Sequence, residues 1–199
     1  MYRKLLSKSF FANNPYKEVS AARIVCFTLL NDGIEELVSQ YAEEGISAER
    51  MEKIQSEKGM IANETDPQAL LKYLRSDIDV MNRPALVRRA LEYEDEILPA
   101  VTQRLVTSGN DHFIENAVRL LAKSQEDYTA PLVEQYAEIR DPHTQSMVCV
   151  VLGKRGEEKI IPWMYERYME SKRLYPEESY SEGPLLALYE LKARFYGKS

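Results

Sequence analysis

Three features of the chain predict an all-α fold of stacked antiparallel helix hairpins. The first is an internal repeat: Pro99, Pro131 and Pro162 each stand four residues after an acid (Asp95, Asp127, Glu158) and five after a glutamate (Glu94, Glu126, Glu157). Their spacings of 32 and 31 residues suit a supersecondary unit whose neighbouring copies bury its apolar side. The second is composition, because only 8 glycines, abundant helix formers and little two-residue alternation favour helix over strand. The third is a set of helix starts in which a capping side chain precedes a proline that has no N–H to waste, as in Asn14-Pro15, Asp66-Pro67 and Asp141-Pro142.

The elements follow in order. Asn14-Pro15 opens a helix over 15–30, and the Asn31-Asp32-Gly33 turn separates it from one over 34–44. Ser47 caps 47–58, and Asp66-Pro67 opens 67–76. The first clear repeat supplies 83–93 and 96–107, with Glu94 and Asp95 placing negative charge where a helix end is partly positive. Asp111 caps 112–123, and Glu126-Asp127 precede 128–139 in the same way. Asp141-Pro142 opens 143–154, Glu157-Glu158 lead 158–173, and Ser181 caps 182–196. Tyr2 to Ala12 is expected as a first, packed helix, with a membrane-touching amphipathic helix as the alternative. The connections are short, as antiparallel neighbours require.

Compared position by position, the repeat separates core from surface. Nine residues before the proline stand Ala90, Ala122 and Gly153, small enough for the two helices of a hairpin to approach closely; thirteen before it stand Leu86, Val118 and Cys149, expected as core. After it, Ala100-Val101, Leu132-Val133 and Trp163-Met164, then Leu105, Ala137 and Tyr168 six residues on, define a buried stripe on the second helix. Paired helices with an acidic turn and a proline near the second start resemble the HEAT repeat family. That resemblance implies one domain, a right-handed α-α superhelix over 1–199, with repeats at 79–110, 111–141 and 142–173 and diverged end units at 1–66 and 175–199.

Charge and cysteine usage narrow the function. A net charge of -6 repels polyphosphate and disfavours nucleic acid as a partner. Cys26 and Cys149 sit among apolar neighbours and are expected as buried free thiols, which suits a reducing, cytoplasmic location. The opening MYRKLLSKSFFANNP has only pairs of adjacent apolar residues, short of a signal-peptide core, and the longest apolar run elsewhere, IVCFTLL, cannot span a bilayer.

Chemistry is thin. His112 and His143 occupy successive helix starts too far apart to share one ion, and GKRGEEK at 153–159 lacks phosphate-loop spacing, so neither metal nor cofactor is expected. Resemblance to HEAT-like proteins brings in alkylated-base DNA glycosylases, for which Arg83, Arg88, Arg89 and Arg104 would form a basic patch. Tyr136 and Tyr165 fall in columns otherwise held by polar residues and are expected to be exposed on second helices, whereas Trp163 and Tyr168 fall in core columns. The expected function is a non-catalytic module that binds another protein or a peptide, with Gln103, Arg104, Tyr136, Tyr165 and Glu166 as candidate contacts. The aromatic end with Tyr175, Tyr180, Tyr189, Phe195 and Tyr196 is either a cap on the last unit or a homodimer surface of a structural protein.

Overall fold

The structure, a computed structural model, describes residues 2–15 and 45–197. The predicted helices over 15–30 and 34–44, the Asn31-Asp32-Gly33 turn and Cys26 lie outside the described residues. All regular structure among the described residues is helical. In chain order the α-helices are α1 (Lys8–Asn13), α2 (Ala48–Asn63), α3 (Pro67–Tyr73), α4 (Arg83–Leu91), α5 (Glu94–Leu105), α6 (Asp111–Lys123), α7 (Thr129–Gln135), α8 (Pro142–Arg155), α9 (Ile161–Leu174) and α10 (Glu182–Tyr196). They fall into two compact units, 45–125 and 2–15 with 126–197. The N-terminal segment thus belongs with the C-terminal helices rather than with 45–66.

Side-chain caps start five of the ten α-helices among the described residues. Ser47, Asp66 and Asp141 accept backbone N–H bonds from Arg50, Gln68 and Thr144, which starts α2, α3 and α8 as predicted. At α6 the cap is Asn110, whose Oδ1 takes the Phe113 N–H at 2.7 Å, and Asp111 becomes the first helical residue. Ser181 makes no side-chain cap bond and instead closes a 3-10 turn over Ser179–Ser181.

The repeat prolines share a column but not a place in their helices. Pro99 lies inside α5, which starts at Glu94 with three carboxylates in its first turn. Pro131 comes soon after the start of α7, because Asp127 Oδ1 takes the Thr129 N–H at 2.9 Å and delays that helix. Pro162 stands at the start of α9, after a 3-10 turn over Glu158–Ile160.

In the 45–125 unit, α4 packs on both α2 and α6, and α3 packs on α5. The stripe Phe113, Ile114, Ala117, Val118, Leu120 and Leu121 of α6 is buried; each large member contributes about 1.5–3 kcal/mol. Arg83, at the start of α4, reaches Glu115 of α6 at 2.6 Å and His112 Nδ1 at 2.9 Å. Buried Arg119 lies 3.6 Å from the same carboxylate, and Asn116 Nδ2 donates to the Leu74 carbonyl at 3.0 Å.

In the other unit α10 packs on α8 and α9, burying Leu185, Leu186, Ala187, Leu188 and Leu191. The contacts advance along α8 and α10 in one direction. Ser146 Oγ accepts the Gly183 N–H at 3.2 Å near the starts, while Arg194 donates to the Gly153 and Gly156 carbonyls at 2.7 and 2.9 Å near the ends. The two helices are therefore parallel. The columns Ala90, Ala122, Gly153 and Leu86, Val118, Cys149 are all buried as expected. Gly153, however, admits α10 rather than its own hairpin partner: a Cβ there would lie 2.5 Å from Ala187 Cα, and one at Gly183 would lie 2.0 Å from the Ser146 carbonyl oxygen.

One substitution should thus act with opposite signs at two glycines. Gly153→Ala forces the α8–α10 backbones apart and is expected to cost about 1–3 kcal/mol in urea unfolding. Gly59→Ala, within α2 with nothing within 4 Å of the new methyl, should stabilise by about 0.5–1 kcal/mol.

Candidate functional site

The five candidate contacts are divided between the two units. Gln103 and Arg104 are exposed on α5, in the 45–125 unit. Tyr136, Tyr165 and Glu166 belong to the other unit, where α9 separates two grooves.

Tyr136 is buried, 8% exposed, which corrects the expectation of a solvated ring. Its inward turn follows from helical phase. In α5 and α9 the buried pairs are Val101 with Leu105 and Met164 with Tyr168, whereas in the middle unit the pair is Leu132 with Tyr136, each one residue earlier relative to the proline. Ala137, predicted for that place, is exposed. The Tyr136 ring meets Trp163 edge-on at 4.9 Å, and the Arg167 guanidinium lies 6.0 Å and 5.6 Å from the two ring centres. Trp163, predicted as core, is half-buried.

A groove of about 290 Å³ opens beside this cluster, lined among others by Tyr136, Gln145, Arg167, Glu170, Tyr175 and Tyr180. Arg167 Nη1 pairs with Glu170 at 2.8 Å, and its buried Nε–H has no hydrogen-bond partner. Tyr175 and Tyr180 pack ring edge to ring face at 5.3 Å. Glu166, strongly exposed, sits 3.9 Å from Arg167 Nη2 at the edge of this site. Arg167 shares a column with Tyr136 in the repeat, a column expected to be solvated, and no local feature of the sequence marks its place against two rings.

The second groove, about 440 Å³, lies on the other side of α9 and holds Tyr165, whose half-buried ring is 5.4 Å from Phe10. Tyr168 is buried as predicted, and its hydroxyl donates to Asn14 Oδ1. Tyr189 Oη donates to the Asn14 carbonyl at 3.0 Å, and its ring packs on Phe11 at 4.2 Å. Tyr196 bonds Glu158, so the aromatic C-terminal segment is largely engaged within the chain, with Phe195 the ring left exposed.

Of the proposed basic patch, Arg83 and Arg89 are engaged internally, Arg83 with Glu115 and Arg89 with the Glu64 carbonyl at 2.8 Å and with Glu92. Arg104 is exposed. Among the described residues no group of three His, Cys, Asp or Glu side chains is gathered as metal ligands, and no helix is long and apolar enough to cross a membrane. The chain matches no protein-family model, no curated protein and no solved structure.

Beneath the Tyr136 groove, Cys149 Sγ donates to Tyr136 Oη at 3.8 Å. Burial pushes the thiol up to about 12 from its ordinary 9.0, and burial, reinforced by Cys149, also raises the Tyr136 phenol. The folded chain keeps the Cys149 proton between pH 9.0 and about 12 while the unfolded thiol loses it, so the folded state binds more protons and stability falls as pH rises through that window. Below pH 9.0 the contribution is constant. The stability difference between wild type and Cys149→Ala, from urea midpoints, should be flat near neutrality and shift against wild type above pH 9.0; an unchanged difference would show that the thiol titrates normally.

Proposed function

We propose that the chain is a non-catalytic module that binds another protein or a peptide, built as a short HEAT-like solenoid and working in the cytoplasm. The observation that carries this reading is the groove formed by Tyr136, Arg167, Tyr175 and Tyr180. Tyrosine and arginine, with Trp163 behind them, are the residue types that dominate binding energy when they are fixed in a pocket on rigid elements. Here Trp163 and Arg167 stand on α9, and Tyr136 is locked by Cys149 below and Trp163 beside it. An extended segment presenting an apolar side chain to the rings and a carboxylate to Arg167 matches this lining.

The solenoid reading draws on the buried small and apolar columns of the first helices, on the packing of alternate helices in the 45–125 unit, and on the parallel course of α8 and α10. Equivalent helices of successive hairpins run parallel in such stacks. Gln103, Arg104, Tyr165 and Glu166 remain proposed contacts, the first two in the 45–125 unit and the others in the unit that holds the groove.

Panning a displayed random-peptide library on the full chain tests the proposal. Enriched peptides should bind wild type and lose about tenfold or more in affinity to Tyr180→Ala, the size expected for truncating an aromatic anchor. Peptides that bind Tyr180→Ala as tightly as wild type would remove the groove, and a library that enriches nothing would remove peptide binding.

A further inference from the structure

We propose that the groove between the N-terminal segment and α9 binds a small organic anion, an aromatic or aliphatic body carrying a carboxylate or phosphate group. This site is separate from the peptide groove and its fate does not depend on that reading. Its volume of about 440 Å³ is in the range of small-molecule sites. Phe10, Tyr165, Tyr168 and Met169 give it an apolar lining, and Ser7, Ser9 and Asn13 add neutral polar groups.

Charge makes the site selective. Among the described residues that line the groove, the charged side chains are Lys4 and Lys172 and none is a carboxylate, although the chain carries a net charge of -6. Residues 2–15 carry Arg3, Lys4 and Lys8 and no Asp or Glu. Among the described residues neither Lys4 nor Lys172 has an ion-pair partner. A second hollow of about 260 Å³ that also touches Lys172 contains Glu178 and Glu182, and neither pairs with it.

Lys172 is also held in place. Its Nζ donates to Asn14 Oδ1 at 3.0 Å and to Tyr168 Oη at 3.1 Å, both neutral acceptors. Asn14 is itself fixed, with Nδ2 donating to the Phe10 carbonyl at 2.7 Å and its own carbonyl accepting from Tyr189. Two of the three ammonium protons are used without any charge being neutralised. The position of Lys172 in the last turn of α9 makes the cation favourable there, but the helix end does not account for the two bonds that aim its exposed side chain. A preorganised, uncompensated cation beside an aromatic lining is complementary to an anionic head on a flat or apolar body.

The test is an amide-shift NMR titration of the full chain with phenyl phosphate, 3-phenylpropionate, the neutral 3-phenylpropanamide and inorganic phosphate. One or both organic acids should shift amides of residues 7–14 and 165–172 saturably, and the two arms separate phosphate from carboxylate as the preferred head. The neutral amide should bind about fivefold or more weakly, and Lys4→Gln, which breaks no bond in the fold, should weaken the acid about threefold, as loss of one partly exposed charge contact predicts. Lys172→Gln should abolish binding, with Lys172→Arg restoring part of it if the charge rather than the fold is responsible. Equal binding of acid and amide, unchanged affinity in Lys4→Gln, shifts centred elsewhere, inorganic phosphate binding as tightly as phenyl phosphate, or no response to either acid at millimolar concentration would each overturn the proposal.

Discussion

The unit formed by 2–15 and 126–197 depends on how closely two helix backbones approach. Gly153 and Gly183 leave no room for a side chain between α8 and α10, and Ser146 and Arg194 then tie the helices together near both ends. Arg194 does more than tether, because the Gly153 and Gly156 carbonyls it takes lie in the last turn of α8 and beyond it, where intrahelical donors run out. Desolvation by that packing lowers the Arg194 pKa, yet the guanidinium stays charged at any physiological pH and meets the negative end of the helix. With α10 seated, Tyr189 reaches the Asn14 carbonyl, Phe11 packs on Tyr189, and the N-terminal segment is held against α9. Both the Asn14–Lys172 bond and the larger groove exist only because that segment is held there.

The 45–125 unit reaches order differently, through a partly buried charge cluster. Arg83 joins α4 to α6 through Glu115, and Arg119 sits behind it with its pKa lowered, chiefly by burial and against the pull of Glu115. Two arginines share one carboxylate, and Arg119 Nε has no hydrogen-bond partner. Such a cluster is a weak source of net stability, since desolvation offsets much of the attraction. Its stronger effect is on register: sliding α6 by one turn along α4 would part Arg83 from Glu115 and His112, leaving its guanidinium without a carboxylate, while Arg119 would travel with Glu115 on α6.

What the sequence made legible was local. Helix existence, the caps at Ser47, Asp66 and Asp141, and the buried columns through Ala90, Ala122, Gly153 and Leu86, Val118, Cys149 all follow from near-neighbour chemistry, and the structure agrees with them. Tyr136 departs from its repeat column because the proline does not fix the buried phase, which is set by whichever apolar pair faces the neighbouring helix. Leu132 and Tyr136, four apart, are that pair, so the column slipped by one residue. Gly183 gave no signal, since a glycine early in a helix reads the same whether it meets solvent or the Ser146 carbonyl. The docking of Phe10, Phe11 and Asn14 was illegible for a related reason. Its partners Tyr168, Lys172 and Tyr189 lie more than 150 residues away, and no periodicity links segments that distant.

The two grooves have a common origin in the pitch of one helix. On α9, Arg167, Glu170, Ser171 and Leu174 recur at spacings of three or four and line the groove beside Tyr136, while Tyr165, Met169 and Lys172 recur on nearly the opposite side and line the groove beside Phe10. Ile161, Met164 and Tyr168 form the buried stripe between them. A helix that is apolar on one stripe and aromatic with cations on two others is not a surface helix with a simple wet face. Each flank carries one cation set against rings, Arg167 against Tyr136 and Trp163, Lys172 against Tyr168. The difference lies in the counter-charge: Glu170 already neutralises Arg167, whereas Lys172 is aimed by neutral oxygens and keeps its full charge. The first flank therefore offers aromatic area and one exchangeable ion pair, and the second offers a cation whose negative partner is missing among the described residues.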